Sequence, residues 1–138
     1  TDPQVEEAVG IAAEEGAAGV IATNTTVSRE GLRTPRAEVE ALGAGGISGA
    51  PLQARAREVV SLAWRTAGGR MPIVGVGGIF TADDAWEMIR AGASLVQLYT
   101  GFIYRGPLAA RDICAGLRRR VRREGMASIG EAVGLARG

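Results

Sequence analysis

The stretch Ile73–Leu98, IVGVGGIFTADDAWEMIRAGASLVQL, holds one full cycle of the pattern that decides the fold. Ile73-Val74-Gly75-Val76-Gly77 is a short apolar run ending in glycine, which reads as a buried strand. Thr81 stands where a helix cap belongs, Ala82, Ala85, Trp86 and Ile89 share one helical face, and Gly92 follows the last turn. A second apolar run, Ser94-Leu95-Val96-Gln97-Leu98, completes the cycle. Two strands separated by a helix are expected to lie parallel, because the helix supplies the crossover.

The same grammar extends in both directions. Upstream, Leu52, Ala56, Val59, Val60 and Ala63 mark a helix that closes at Gly68-Gly69. Before it, Gly19-Val20-Ile21-Ala22-Thr23 reads as another buried strand. The first helix would be capped by Asp2, with Pro3 at its first position, Glu6 and Glu7 at the positive end of its dipole, and Gly16 at its close. Its residues Val5, Ala8, Val9, Ala12 and Ala13 form a face for burial. Downstream, Ala110, Ile113, Cys114, Leu117 and Val121 share a face of a last helix. The expected order is α-β-α-β-α-β-α.

Repetition of βα units suggests a barrel or a doubly wound sheet. Gly16-Ala17-Ala18-Gly19-Val20 echoes Gly92-Ala93-Ser94-Leu95-Val96, at an offset that spans two such units. A closed (β/α)8 barrel needs about 250 residues, and this chain has 138. The expectation is therefore an α/β fold: about three βα units, the C-terminal part of a (β/α)8 barrel with parallel strands, residues 1–138 forming a portion of one domain. In barrels the loops that follow the strands carry the active site. Here the loop after the first strand runs from about Asn24 to Ala50, far longer than the loops that lead into strands.

Composition removes whole classes of chemistry. There is no histidine and one cysteine, Cys114, so serine-histidine and cysteine-histidine catalysis, an internal disulfide and a His- or Cys-based zinc site are not expected. All 16 basic residues are arginine, which leaves no lysine for a Schiff base. A net charge of +1 gives no electrostatic pull on nucleic acid. The longest charge-free runs, Ala41–Ala54 and Ala91–Tyr104, have 14 residues each, short of the roughly 18 apolar residues of a membrane span. Thr1-Asp2-Pro3 does not resemble a signal peptide, and a reducing, cytosolic setting is the default expectation.

Three groups of residues fall at strand ends. Thr23-Asn24-Thr25-Thr26 offers an amide and three hydroxyls, which suit a small polar ring; a turn in which the same groups satisfy local backbone accounts for them equally well. Gly45-Gly46-Ile47-Ser48-Gly49 and Gly75-Val76-Gly77-Gly78 let backbone N–H groups approach an anion. Thr100-Gly101 follows the next strand and opens a short helix with Phe102-Ile103-Tyr104, the place where barrels commonly bind phosphate. Singly, each glycine cluster reads as a structural turn, and none has Rossmann or P-loop spacing. On consecutive strand ends they point to a phosphate cradle. Cys114 is expected to pack as a small hydrophobe, Trp64 and Trp86 to fill the layer between helix and sheet, and Arg118, Arg119, Arg120, Arg122 and Arg123 to form a solvated face.

Residues 19–26 (GVIATNTT), 45–52 (GGISGAPL), 72–79 (PIVGVGGI) and 91–104 (AGASLVQLYTGFIY) together resemble the C-terminal part of the quinone-dependent (class 2) dihydroorotate dehydrogenases, in order and over nearly the whole chain. The resemblance implies an FMN-containing (β/α)8 barrel that oxidises dihydroorotate to orotate in pyrimidine biosynthesis and passes electrons to a quinone. It implies that Thr23 contacts FMN, that Asn24 and Thr25 hold dihydroorotate, and that Gly49, Gly78, Tyr99 and Thr100 bind FMN, the last three around its phosphate. Ser48, Gly77 and Gly101 are neighbouring candidates. The family's catalytic serine, its flavin-contacting lysine and its membrane-docking helical extension match nothing in these 138 residues, so no catalytic base and no metal ligand is assigned here. Full-length members are peripheral on the cytoplasmic side of the inner membrane; this segment is expected to be soluble and inactive alone. The alternatives are a non-catalytic FMN- or phosphate-binding partial barrel completed by another chain, and a different barrel enzyme with the same phosphate site.

Overall fold

The computed structural model describes residues 1–136. The chain runs α1 (Asp2–Glu14), β1 (Val20–Ala22), α2 (Arg36–Ala41), α3 (Gln53–Ala67), β2 (Ile73–Val76), α4 (Ala82–Arg90), β3 (Leu95–Gln97), α5 (Thr100–Arg105) and α6 (Ala109–Arg123), with 3-10 turns at Ala50–Leu52 and Ile129–Ala132. The strands are parallel and adjacent in sequence order, β1-β2-β3. Val20 pairs with Ile73, and Val74 with Leu95.

That order, with no reversal, is the winding of a barrel; a doubly wound sheet reverses and carries helices on both faces. Here one face is covered. The row Ala22, Gly75 and Val96 packs toward the helices, whereas the adjacent row Ile21, Val74 and Leu95 lies on the other face, where Ile21 and Leu95 are 67% and 63% exposed. The strands expected to be buried on both sides are thus buried on one, because three strands do not close the sheet on itself. Ala8, also expected to be covered, is exposed, while Val9 beside it is buried.

α3 supplies the centre of the core with Ala56, Val60, Ala63 and Ala67. Its small residues let the helix lie close to β2, where Ile73 is fully buried. Its last carbonyls, Thr66 and Ala67, accept hydrogen bonds from the Arg70 guanidinium. α4 begins with a reciprocal cap: the Asp84 N–H donates to Thr81 Oγ1 at 3.1 Å and the Thr81 N–H donates to the Asp84 carboxylate at 2.9 Å.

Several local expectations shift. Thr1, not Asp2, occupies the cap position of α1, because the Asp2 carboxylate pairs with Arg55 on α3. Cys114 and Ala110 are exposed. α6 instead turns Ala109, Ile113 and Leu117 inward, sets Gly116 against Ala82, and lays the Arg120 guanidinium 5.3 Å from the centre of the Trp86 ring. Arg120 is therefore not part of the solvated arginine face, and Trp86 packs between α4 and α6 as well as toward Val96. Trp64 packs against the main core, as expected, and also lies against Gly92 and Gly134. Two short helices, α2 and α5, lengthen the expected order; α5 is the extra helix read at Thr100, whereas α2 interrupts the long loop. Among the described residues no helix is long and apolar enough to cross a membrane.

Two expected outcomes follow from this packing. A Cβ on Gly75 would stand 2.5 Å from Met88 Cγ and 3.0 Å from Ala93 Cβ. Gly75→Ala should cost about 1–3 kcal/mol by overpacking, and Met88→Ala about 2–5 kcal/mol by leaving a cavity. The double variant should cost less than the sum in urea unfolding, since the added methyl enters the vacated space; strict additivity would contradict this packing. The Arg55 guanidinium beside Asp2 holds its carboxyl below the ordinary value of 3.8, chiefly through the hydrogen bond between them. A carboxyl lowered by folding contributes stability that is present above that value and is lost as pH falls through the lowered one. Asp2→Asn should therefore reduce the melting temperature slightly at pH 7, with the gap closing as the pH falls below 3.8; a gap that persists in acid contradicts the pairing.

Candidate functional site

The carboxyl ends of β1, β2 and β3 open on one cavity of about 290 Å3, near the lower limit for small-molecule pockets. It is lined by Thr23, Asn24 and Thr25 after β1, by Ser48 and Gly49 from the long loop, by Gly77, Gly78 and Ile79 after β2, and by Tyr99, Thr100 and Gly101 after β3. All seven residues singled out for substrate or cofactor, Thr23, Asn24, Thr25, Gly49, Gly78, Tyr99 and Thr100, meet there, as do the neighbours Ser48, Gly77 and Gly101.

The β1 end is tied to β2 by Thr23, whose N–H and Oγ1 both donate to the Val76 carbonyl, at 2.9 and 3.3 Å. The Ala22–Thr23 peptide is cis. Asn24 serves the local backbone in part: its Oδ1 accepts the Thr25 N–H at 2.8 Å. Its Nδ2 group donates to no protein acceptor among the described residues, and both Asn24 and Thr25 are exposed. The turn reading and the ligand reading thus divide the same side chain between them. Thr26 belongs to the scaffold. Its backbone pairs with Ile47 in an antiparallel bridge and its hydroxyl accepts the Ser28 N–H.

That bridge folds the long loop back over the strand ends. Gly46 packs directly on the Thr25 side chain, and Arg29 donates to the Gly45 carbonyl at 2.5 Å. Gly45 and Gly46, expected to help cradle an anion, therefore fasten the loop and do not line the cavity; of that segment Ser48 and Gly49 do. Thr100 Oγ1 donates to Ser48 Oγ at 2.9 Å, which joins the loop to α5.

The distribution of main-chain donors gives the cavity its chemical character. Phe80 and Thr81 donate their N–H groups to Asp84 Oδ2 at 3.0 and 2.9 Å, and so complete the cap of α4. The N–H groups of Gly78, Ile79, Tyr99, Thr100 and Gly101 donate to no protein acceptor among the described residues. Gly78 has φ +67, and a Cβ there would come within 2.5 Å of Gln53 Cα and 2.9 Å of Gln53 N, so only glycine lets this turn lie on the start of α3. Unpaired amides from two successive strand ends, one set in the first turn of a helix, suit an anion such as phosphate. Among the described residues no charged side chain lines the cavity.

The cavity also includes Val76 from the second glycine segment, and residues that the sequence did not single out for a ligand: Leu52, Ile79, Gln97 and Leu98. For Gln97 a signal exists, since it is the one amide in the apolar run of β3; the others are apolar and look like any core residue.

The sequence signature of the family described as Dihydroorotate dehydrogenase matches residues 2–121. The chain is 55% identical over 134 residues to "Dihydroorotate dehydrogenase (quinone)" of Rhodococcus erythropolis, covering 97% of this chain and 38% of the relative. It is 54% identical to the protein of the same name from Thermobifida fusca, covering 97% and 36%. The crystal structure of Eimeria tenella DHODH in complex with ferulenol superposes with a TM-score of 0.87 at 40% identity, over 98% of this chain and 35% of that one. The ligand-free Eimeria tenella DHODH gives 0.88 at 37% identity, over 100% and 38%. The chain thus spans less than two fifths of the length of these relatives, and within that span sequence and fold agree: it belongs to the dihydroorotate dehydrogenase family.

Proposed function

We propose that this chain is the C-terminal part of a complete quinone-dependent dihydroorotate dehydrogenase, and that its cavity holds the phosphate side of FMN together with one edge of dihydroorotate. The observation that carries the reading is the meeting on one cavity of six of the singled-out residues from three strand ends and of Gly49 from the long loop, where the main-chain amides of Gly78, Ile79, Tyr99, Thr100 and Gly101 donate to no protein acceptor among the described residues. Relatives named for the quinone-dependent enzyme support it.

The residues present fit the cofactor. The amides of Gly78, Ile79, Thr100 and Gly101 would bind its phosphate, with Gly49 and Tyr99 beside them and Thr23 nearer the ring. Such a neutral, amide-built cradle binds a dianion without a lysine, which this chain lacks. FMN bound there supplies the hydride acceptor for oxidation of the substrate. Asn24 and Thr25 bind and orient: the free Nδ2 donors of Asn24 and the Thr25 hydroxyl suit the ring carbonyls and carboxylate of dihydroorotate. No residue of this chain is assigned the proton transfer; a serine and a lysine from outside it would act as base and flavin contact. In the complete enzyme electrons pass to a quinone, with the protein peripheral to the inner membrane.

Asn24→Ala in the complete enzyme is expected to weaken dihydroorotate about tenfold or more, the cost of removing a hydrogen bond to a charged or strongly polar group. FMN affinity should change little. Titration of each ligand separates the two effects, and equal losses would contradict the assignment of Asn24 to the substrate.

A further inference from the structure

Gln53, the first residue of α3, stands outside the cavity wall yet touches the turn that forms it. Its side-chain amide donates from Nε2 twice, to the Gly78 carbonyl at 2.9 Å and to Asp84 Oδ1 at 2.6 Å. Both hydrogens of that nitrogen are thereby engaged. The other oxygen of Asp84 collects the N–H groups of Phe80 and Thr81. One glutamine and one aspartate therefore account for the carbonyl at residue 78 and the donors at residues 80 and 81.

The arrangement sorts the donors of the β2–α4 turn. The Gly78–Ile79 peptide is trans; among the described residues Ala22–Thr23 alone is cis. In a trans peptide the carbonyl and the following N–H point in opposite directions. Fastening the Gly78 carbonyl to Gln53 turns the Ile79 N–H away from α3, and Ile79 lines the cavity. Asp84 meanwhile withdraws the next two amides from competition for a ligand. Gln53 also faces the Asp84 carboxylate with a donor, which offsets a negative charge close to where an anion would sit.

We infer that Gln53 is a positioning residue for the anion cradle: by holding the Gly78 carbonyl and Asp84 it aims the Ile79 N–H at the ligand's phosphate. This rests on the reading of the cavity as a phosphate site. Gln53 acts through the peptide and touches neither phosphate nor substrate.

FMN and riboflavin differ by the phosphate, so the ratio of their dissociation constants isolates the cradle from the ring site. The measurement is equilibrium dialysis of both flavins against the complete enzyme stripped of flavin, unsubstituted and as Gln53→Met and Gln53→Glu. Methionine keeps the length without the donors; glutamate replaces them with a second carboxylate. The unsubstituted enzyme should prefer FMN, and each variant should lower that preference about tenfold or more, Gln53→Glu by the larger factor, with riboflavin affinity unchanged. Thermal unfolding identifies a variant that fails to fold, in which case the other decides. An unchanged preference, or equal loss for the two flavins, overturns the role of Gln53 while leaving the cradle in place. No preference for FMN in the unsubstituted enzyme overturns the cradle, and this inference with it.

Discussion

Parallel pairing in register is the constraint from which the site follows. Because Ala22 lies opposite Gly75 and Val76 opposite Gln97, the three strands end at nearly one level, and the chain leaves all of them in the same direction. The turns that follow cannot complete the sheet's hydrogen-bond ladder. Some of their donors find caps, as Phe80 and Thr81 do in Asp84; others, at Gly78, Ile79, Tyr99, Thr100 and Gly101, belong to residues that line one cavity and find no protein acceptor among the described residues. Buried or half-buried amides without partners are costly unless water or a ligand meets them. A site of this kind is therefore a consequence of the topology, and the side chains refine it.

The scaffold holds those turns through small residues and a few polar ties. Gly75 admits Met88 and Ala93 against the strand, so that α4 lies close enough for its cap to reach the turn before it. Gly78 rests on the backbone of Gln53, which brings the start of α3 under the same turn. The long loop after β1 is fastened by the Thr26–Ile47 bridge and by Thr100 to Ser48, so that Gly49 joins the cavity from the side. The open row of Ile21, Val74 and Leu95 shows how one-sided the layer is. It agrees with a chain that spans 38% of its Rhodococcus relative.

Much of this is legible in the sequence because the signals are local. Thr81 with Asp84, the apolar run at Ile73 and the glycine pair at Gly77-Gly78 each report a short-range requirement: a cap, a strand, a tight turn. The meeting of the strand ends follows once the repeat is recognised. What escapes is set by contacts between elements. Cys114 obeys the helical period of its neighbours, yet α6 is rotated by the fit of Gly116 to Ala82 and of Arg120 to Trp86. Asp2 has the chemistry of a cap but is drawn to Arg55, 53 residues away. Gln53 looks like an ordinary polar residue in a first helical turn; its partners, Gly78 and Asp84, become visible only in three dimensions. Gly45 and Gly46 carry the signature of an anion loop, and the Thr26–Ile47 bridge assigns them to fastening instead.

The most direct test of the account is a crystal structure of the complete enzyme loaded with FMN. It should place the cofactor's phosphate oxygens about 2.7–3.2 Å from the main-chain nitrogens of Gly78 or Ile79 and of Thr100 or Gly101 at once. A phosphate bound elsewhere, or held by side chains while those nitrogens face water, would contradict it.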